Sequence, residues 1–357
     1  MNIQNTKYLR AVIADYSKPS TGLAVMIFMI DMAIYLSAIL GVIFLENIIM
    51  RILCSIAAGI MISSIFVIGH DAAHTAFTGN VTLNKVIGRI AFLPSLHNYG
   101  LWLTEHNRIH HQLVNIQGMD SWSPFSKKEY DAMPAWRRAI ERFYRSPAGI
   151  SFYYLIERWW KNKFYPYKNI KGKYNSVYWD FLLVVAYLFI YLSLLGYAGQ
   201  VLTHTSAIEL IILGFVIPFL NWNFMMGFTV YQHHTHESIA WVKTRQERDL
   251  SGGQEDFTMQ VRFPWWYNLL SNNIMEHTAH HVDPRIPLYN LPMAQKTLGK
   301  LLGDDLKTVR FSLKAFLRTL GICKLYDFEK HCWLDFDGNV TSRINLVAAR
   351  DDYIKVA

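Results

Sequence analysis

Cysteine is scarce in this chain. Three residues, Cys54, Cys323 and Cys332, stand far apart among 357 positions. They are too few and too scattered for a disulfide framework or a cysteine-rich metal site, and are expected as free thiols on the reducing side or within lipid. Charge is scarce too: Asp, Glu, Lys and Arg make up 17% of the chain, against 52% for hydrophobic residues and 15% for aromatics. That balance is too apolar for an ordinary soluble enzyme and points to the bilayer as solvent. Met1 to Pro19 lacks the short apolar core of a cleavable signal peptide, because Lys7, Arg10, Asp15 and Lys18 are mixed into it, so the first hydrophobic run is expected to stay in the membrane. The net charge of +8 raises nucleic acid as a partner, but the basic residues are dispersed and carry no nucleic-acid motif, so none is expected. Anionic lipid headgroups and an acidic protein partner account for it better.

What is present is a set of long apolar runs. Leu23 to Leu45 and Ile52 to Gly69 are each long enough, at about 1.5 Å per residue, to cross all or nearly all of a hydrocarbon core. Asp31 inside the first is expected to be satisfied by a neighbouring helix. From Thr78 to Val177 no uninterrupted 18-residue apolar run occurs and fifteen Lys and Arg are found, which marks the segment as cytoplasmic. Within it Val86 to Leu103, broken by Arg89, Pro94 and Gly100, reads as re-entrant or interfacial. Pro134 to Lys173 interleaves Trp136, Trp159 and Trp160 with basic residues, as helices at headgroup level do. Val177 to Gly199 and Ala207 to Tyr231 are two further runs, and their joint, Gln200 to Ser206, has no Lys or Arg and belongs on the far side.

The expectation is an all-α integral membrane protein of four transmembrane helices with a cytoplasmic helical cap. Its parts are a cytoplasmic segment 1–22, a membrane domain 23–302 with spans at 23–45, 52–69, 177–199 and 207–231 and a cytoplasmic insert 78–176, and a cytoplasmic tail 303–357. No internal repeat stands out.

Eleven of the fourteen histidines fall in four clusters: His70-Asp-Ala-Ala-His74, His106-Asn-Arg-Ile-His110-His111, His233-His234-Thr-His236 and His277-Thr-Ala-His280-His281. Neutral imidazole is the commonest metal ligand, and the i, i+4 step of His70/His74, His106/His110 and His277/His281 puts each pair on one helix face. One such pair means little. Three of them supply more rings than the about four that one zinc takes, so two metal ions are the economical reading. With the N-terminus cytoplasmic, the four-span topology brings every cluster, and both termini, to the cytoplasmic side.

The order HxxxH, HxxxHH, a histidine region after a span, then HxxHH resembles the integral membrane fatty acid desaturases, a family shared with related hydroxylases, acetylenases and carotenoid oxygenases. Gly69-His-Asp-Ala-Ala-His74, Trp102 before His106, Asp120-Ser-Trp-Ser-Pro124, and His277-Thr-Ala-His-His281 followed by Ile286-Pro-Leu-Tyr-Asn-Leu291 look like the acyl-lipid branch, over roughly residues 20 to 300. The resemblance implies two Fe ions, O2 as co-substrate, and insertion of a double bond into an acyl chain. Carried over residue by residue, the ligands are His70, His74, His106, His110, His111, His277, His280 and His281. In the third cluster His233, His234 and His236 compete; Glu237 to Trp241 downstream matches best with His234 as ligand. His233 and His236, with Asp71, Asn107 and Gln232, are then neighbours that orient the ligands.

Removing hydrogen from an unactivated chain needs an oxidant that acid, base or nucleophilic side chains cannot replace. The implied partners are an acyl chain on a lipid, coenzyme A or a carrier protein, membrane lipids, and a separate electron donor such as a ferredoxin or cytochrome, since no cytochrome domain is fused. Trp222, Phe224, Met225, Met226 and Phe228 are candidate tunnel residues. Competing classes fit less. His70-Asp-Ala-Ala-His74 is like the HExxH of a membrane zinc metalloprotease, which leaves three clusters without a role. A haem cytochrome would put its ligands inside the spans, and a soluble di-iron bundle needs paired Glu-x-x-His motifs that are missing here.

Overall fold

The computed structural model describes residues 3–166, 175–203 and 205–344. His204, one of the three histidines outside the four clusters, lies outside the described residues, as do part of the basic stretch and the end of the tail. Four helices are long and apolar enough to cross a membrane: Thr21–Phe44, Ile48–Ala73, Ser176–Leu202 and Ala207–His234. They match the four expected runs and reach further at the ends that carry histidine.

The second and fourth spans form the inner pair and the first and third the outer pair. Two thirds of the second span's most apolar window is buried, and half of the fourth's, against 28% and 17% for the first and third. Met26, Met29, Ile30, Leu36 and Leu40 on the first span, and Leu182, Phe189, Ile190 and Leu194 on the third, are exposed; such a surface is stable only against lipid. Gly59 sets the inner packing distance: a Cβ there would sit 2.8 Å from the Pro218 carbonyl and 2.7 Å from Asn221. Asn221 in turn donates to the Ile56 carbonyl at 2.9 Å. Asp31, the carboxyl within the first span, accepts from Ser64 Oγ at 2.8 Å and Asn272 Nδ2 at 2.7 Å, so two neighbouring segments satisfy it.

The stretch expected as interfacial is a helix, Val81–Phe92, a break, and a second helix, Tyr99–Thr104, that continues into Glu105–His110. Ala135–Tyr144 has Trp136 exposed at its start, and Trp160 is exposed on Tyr154–Phe164 while Trp159 is buried. The expectation of an all-α chain needs one correction. Two short strand pairs occur among the described residues: Gln260–Arg262 with Thr308–Arg310, parallel, and Leu325–Asp327 with Cys332–Leu334, antiparallel. Strands of three residues are too short to show an alternation that a sequence pattern can report. Residues after Leu302 pack onto the membrane domain, with Phe316 of helix Leu313–Ile322 against Phe228 and Tyr231 of the fourth span.

Candidate metal centre

Each histidine cluster sits where a helix ends or changes pitch. The second span runs through His70 and closes at His74 in a Schellman motif: Ala76 N–H donates to the Asp71 carbonyl at 3.0 Å and Thr75 N–H to that of Ala72 at 3.0 Å. Thr75 takes the left-handed position with φ 57°, a place that usually goes to glycine, and strain of this kind gathers at functional sites. Gly69 lets the span lie against Phe92, whose ring a Cβ would meet at 2.5 Å. In the second cluster the His111 N–H donates to the His106 carbonyl at 3.1 Å, five residues back. This wider turn changes which way successive rings point. The third cluster ends the fourth span, and the fourth forms the short helix His277–Val282, whose Ala279 N–H is capped by Gln295 at 2.8 Å.

Nine imidazoles converge into two adjoining groups. His70, His74, His106, His111 and His280 each offer one ring nitrogen, all within 4.8 Å of one another; His110, His234, His277 and His281 form a second such group. The i, i+4 pairs therefore do not all stay together. His70/His74 and His277/His281 share a group, whereas His106 and His110 are divided between the two.

These groups fit a metal better than they fit a hydrogen-bond network. In its plane, an imidazole nitrogen carries either one hydrogen or one lone pair. In the larger group the Nε2 atoms form a run: His70 to His106 at 2.7 Å, His106 to His111 at 3.1 Å, and His111 to His280 at 3.2 Å. Nε2 of His106 and of His111 would each have to serve two partners. Two nitrogens about 2.1 Å from one ion and at right angles to each other lie about 3.0 Å apart, so converging lone pairs account for the spacing. His74 Nε2 is buried with no hydrogen-bond partner. In the second group His277 and His234 approach to 2.9 Å, and His281 and His110 to 3.2 Å. Burial, and then the neighbouring rings, hold His74, His106, His111, His277, His280 and His281 well below the ordinary imidazole value. At neutral pH each is uncharged and has a lone pair to give.

A second layer holds several rings by their other nitrogen. His110 Nδ1 lies 2.7 Å from Asp120 Oδ1, and Asp120 also accepts from the Ser121 and Asn115 N–H groups at 2.6 and 3.1 Å. Burial would raise the Asp120 carboxyl, but His110, His234 and the Asn115 N–H together hold it well below the usual carboxylate range. His70 Nδ1 lies 3.3 Å from Asp71 Oδ1, while Asp71 Oδ2 accepts from the Leu288 N–H at 2.5 Å. Asp71 thus ties the first cluster to the Ile286–Leu291 stretch. His234 Nδ1 lies 3.1 Å from the Phe257 carbonyl and His281 Nδ1 lies 3.3 Å from Gln254 Oε1, with Gln254 Nε2 donating to the His111 carbonyl at 2.8 Å.

The remaining candidates lie elsewhere. His233 stacks on His277 with ring centroids 3.6 Å apart, its Nε2 unpartnered. His236 shares Nδ1 with Ser238 Oγ at 2.8 Å and joins neither group. Asn107 donates to the Ala73 carbonyl at 2.9 Å rather than to a ring, and Gln232 lines a separate small cleft beside His236. His97 is a core residue, on the Ser95 carbonyl at 3.0 Å and packed by Phe66, Trp102 and Trp222; burial pulls it down to about 3. His331 lies on the Trp241 carbonyl at 3.2 Å. Asp120 and Gln254 went unnoticed as ring partners in the sequence. Asp120 had a signal, the Asp-Ser-Trp motif ten residues past His110; Gln254, in a Gly-Gly-Gln loop, had none.

A cavity meets both groups through His70, His106, His110, His234 and His277. Phe66, Val67, Met225, Met226, Val230 and Ile274 give it apolar walls. Of the five tunnel candidates only Met225 and Met226 line it. Trp222 is buried against Phe66 and Phe219, Phe224 is exposed, and Phe228 packs on Phe263, Phe311 and Phe316.

A family model described as fatty acid desaturase matches residues 46–312. The chain is 29% identical over 273 residues to an omega-6 fatty acid desaturase, chloroplastic, of Glycine max, covering 76% of this chain and 62% of that one. It is 26% identical over 279 residues to an sn-1 oleoyl-lipid 12-desaturase of Picosynechococcus sp., covering 78% and 77%. With an sn-1 acyl-lipid omega-3 desaturase (ferredoxin) of Synechocystis sp. it is 26% identical over 299 residues, covering 82% and 80%. The chain spans 58–62% of the length of the four chloroplast relatives.

Proposed function

The chain belongs to the fatty acid desaturase family, and on that premise we propose that it is a membrane oxidoreductase that introduces a double bond into an acyl chain. One observation carries this reading: nine imidazoles from four separate stretches meet in two groups at the wall of an apolar cavity. In it His70, His74, His106, His111 and His280 hold one iron and His110, His234, His277 and His281 the other. Bound there, the two irons supply the oxidising power, drawn from O2, that acid–base side chains lack. Overall, O2, two electrons and two protons enter, two hydrogens leave adjacent carbons of the chain, and two waters form.

The protein's own part is geometric. Asp120, Asp71, Gln254 and the Phe257 carbonyl set which ring nitrogen is protonated and how each ring is turned. The apolar walls from the second and fourth spans keep water away and hold the chain beside the histidines. All four clusters and both termini lie on the cytoplasmic side, so the lipid tail arrives from the membrane and electrons from the aqueous phase. The donor is a separate carrier such as a ferredoxin, as the name of one relative includes, and the acyl group rides on a membrane lipid, as in the names of two relatives.

The test is mass spectrometry of fatty acids from cells expressing the full chain, beside a His110→Ala control, with metal analysis of the purified protein. An unsaturated product with the parent chain alone, and about two irons per chain, is the expected result. A hydroxy acid would redirect the reading to a hydroxylase, and unchanged lipids with bound zinc would end it.

A further inference from the structure

The cavity that meets the two histidine groups is also lined by two cations, Lys163 and Arg158, with no ion-pair partner among the described residues. Lys163 is 5% exposed, lines the cavity, and has its ammonium over the Trp102 ring, 4.8 Å from the centroid. Arg158 lines the same cavity, and its Nε is buried with no hydrogen-bond partner. Among the described residues no hydrogen bond or ion pair engages either side chain. Glu105 and Asp120 act on Lys163 only across space, and Asp120 is already committed to His110. Burial pulls the Lys163 ammonium down to about 7. A buried cation without a partner is costly, and proteins keep one where something else completes it.

What completes it follows from how the cavity is built. Its apolar walls come from the spans, one or two turns before their histidines: Phe66 and Val67 before His70, Met225 and Met226 before His233. Its cations come from a different segment, Tyr154–Phe164, which also contributes the Tyr154 hydroxyl, 3.4 Å from His97 Nε2. A ligand that suits both sources has a hydrocarbon chain and an anionic oxygen group. We propose that Lys163 and Arg158 bind the anionic head of the acyl substrate, a carboxylate or a lipid phosphate, and so fix from the head how far the chain lies along the histidine groups. The proposal rests on the desaturase reading for the identity of the chain, but its test reads binding rather than turnover.

The full-length, iron-loaded protein in detergent is titrated with four probes: oleate, methyl oleate, dioleoyl phosphatidate and dioleoylglycerol. At least one anionic probe is expected to bind about tenfold tighter than its neutral counterpart, as charge-assisted hydrogen bonds allow. Which pair shows the gap tells a carboxylate head from a phosphate head. Lys163→Met closes the gap, Lys163→Arg keeps it, and Lys161→Gln, at an exposed cation paired with Glu157, leaves it unchanged. Equal binding of charged and neutral probes to the unaltered protein overturns the proposal, even if Lys163→Met does not fold. So does a gap that survives both Lys163→Met and Arg158→Met. A chain that shows the gap yet makes no unsaturated product keeps the head site and loses the desaturase reading; the opposite pair of results does the reverse.

Discussion

The two histidine groups are held in different ways. In the group of four, three rings are gripped from outside by Asp120, the Phe257 carbonyl and Gln254, and the fourth, His277, is stacked under His233. In the group of five, among the described residues, only His70 has such a partner, and His280 Nδ1 is buried with none. There the rings lean on one another: His74 lies 4.7–5.1 Å, centroid to centroid, from His70, His106, His111 and His280. Hydrogen bonds fix a ring's tautomer before the metal arrives. Crowding fixes its position but leaves the tautomer for the metal to choose.

The largest effect that separates the groups comes from two adjacent residues. His280 belongs to the group of five and His281 to the group of four, so on the two-iron reading proposed above His280→Ala and His281→Ala should each remove one iron of two and lower product more than about a hundredfold, beyond the range for outer partners. Metal analysis beside fatty-acid quantitation checks this. Loss of both irons from either variant would mean that the groups are one cooperative site, and no loss from either would remove these rings from the ligand set.

Next in size is the grip itself. Asp120→Asn should weaken metal retention by about 10–100-fold, measured by chelator competition, with one iron leaving early and the other unaffected. Asp71→Asn should act less on the metal and more on the strap that it holds through Leu288. If both variants release iron alike, the contrast between the groups fails.

Acid should find the metal-free protein through the same rings. His74, His106, His111, His277, His280 and His281 lie well below 6.5 in the fold because burial and neighbouring rings oppose their charge. In the unfolded chain they return to about 6.5. Below that pH the unfolded state binds more protons, so stability is highest above about 6.5 and falls as pH drops toward the folded values. Thermal melting of metal-free protein should stay nearly level from pH 7.5 to about 6.5 and fall from there to 5.5, each ring costing up to about 1 kcal/mol for each pH unit below its unfolded value. A flat profile would show that the rings are already exposed without metal.

How much of this was legible in the chain depends on the range over which each feature is set. The spans were readable because apolar composition is local: Leu23 to Leu45 became Thr21–Phe44 and Ala207 to Tyr231 became Ala207–His234. The nine converging histidines were readable because the clusters are short and repeated. The division of His106 from His110 was not, since it comes from the wide turn that ends in the His111 to His106 hydrogen bond. Nor was Gln254, which reaches His281 and the His111 carbonyl only after folding. Leu288 was part of a motif whose purpose, a backbone N–H for Asp71, appears only in three dimensions.

The smallest expected effect falls on the third cluster and decides its ligand. His234 joins the group of four, His233 stacks beside it, and His236 turns away to Ser238. His236→Gln keeps a polar side chain at a half-buried position outside both groups, so product and iron content should stay within about twofold of the unaltered protein, the range of ordinary substitutions away from a site. His233→Gln removes a stacking surface worth about 1 kcal/mol and should lower product several-fold while both irons remain. His234→Gln should cost one iron. An inert His234→Gln, or a His236→Gln protein that lacks an iron, would move the ligand within the cluster and break the contrast between a group held from outside and one held by its own rings.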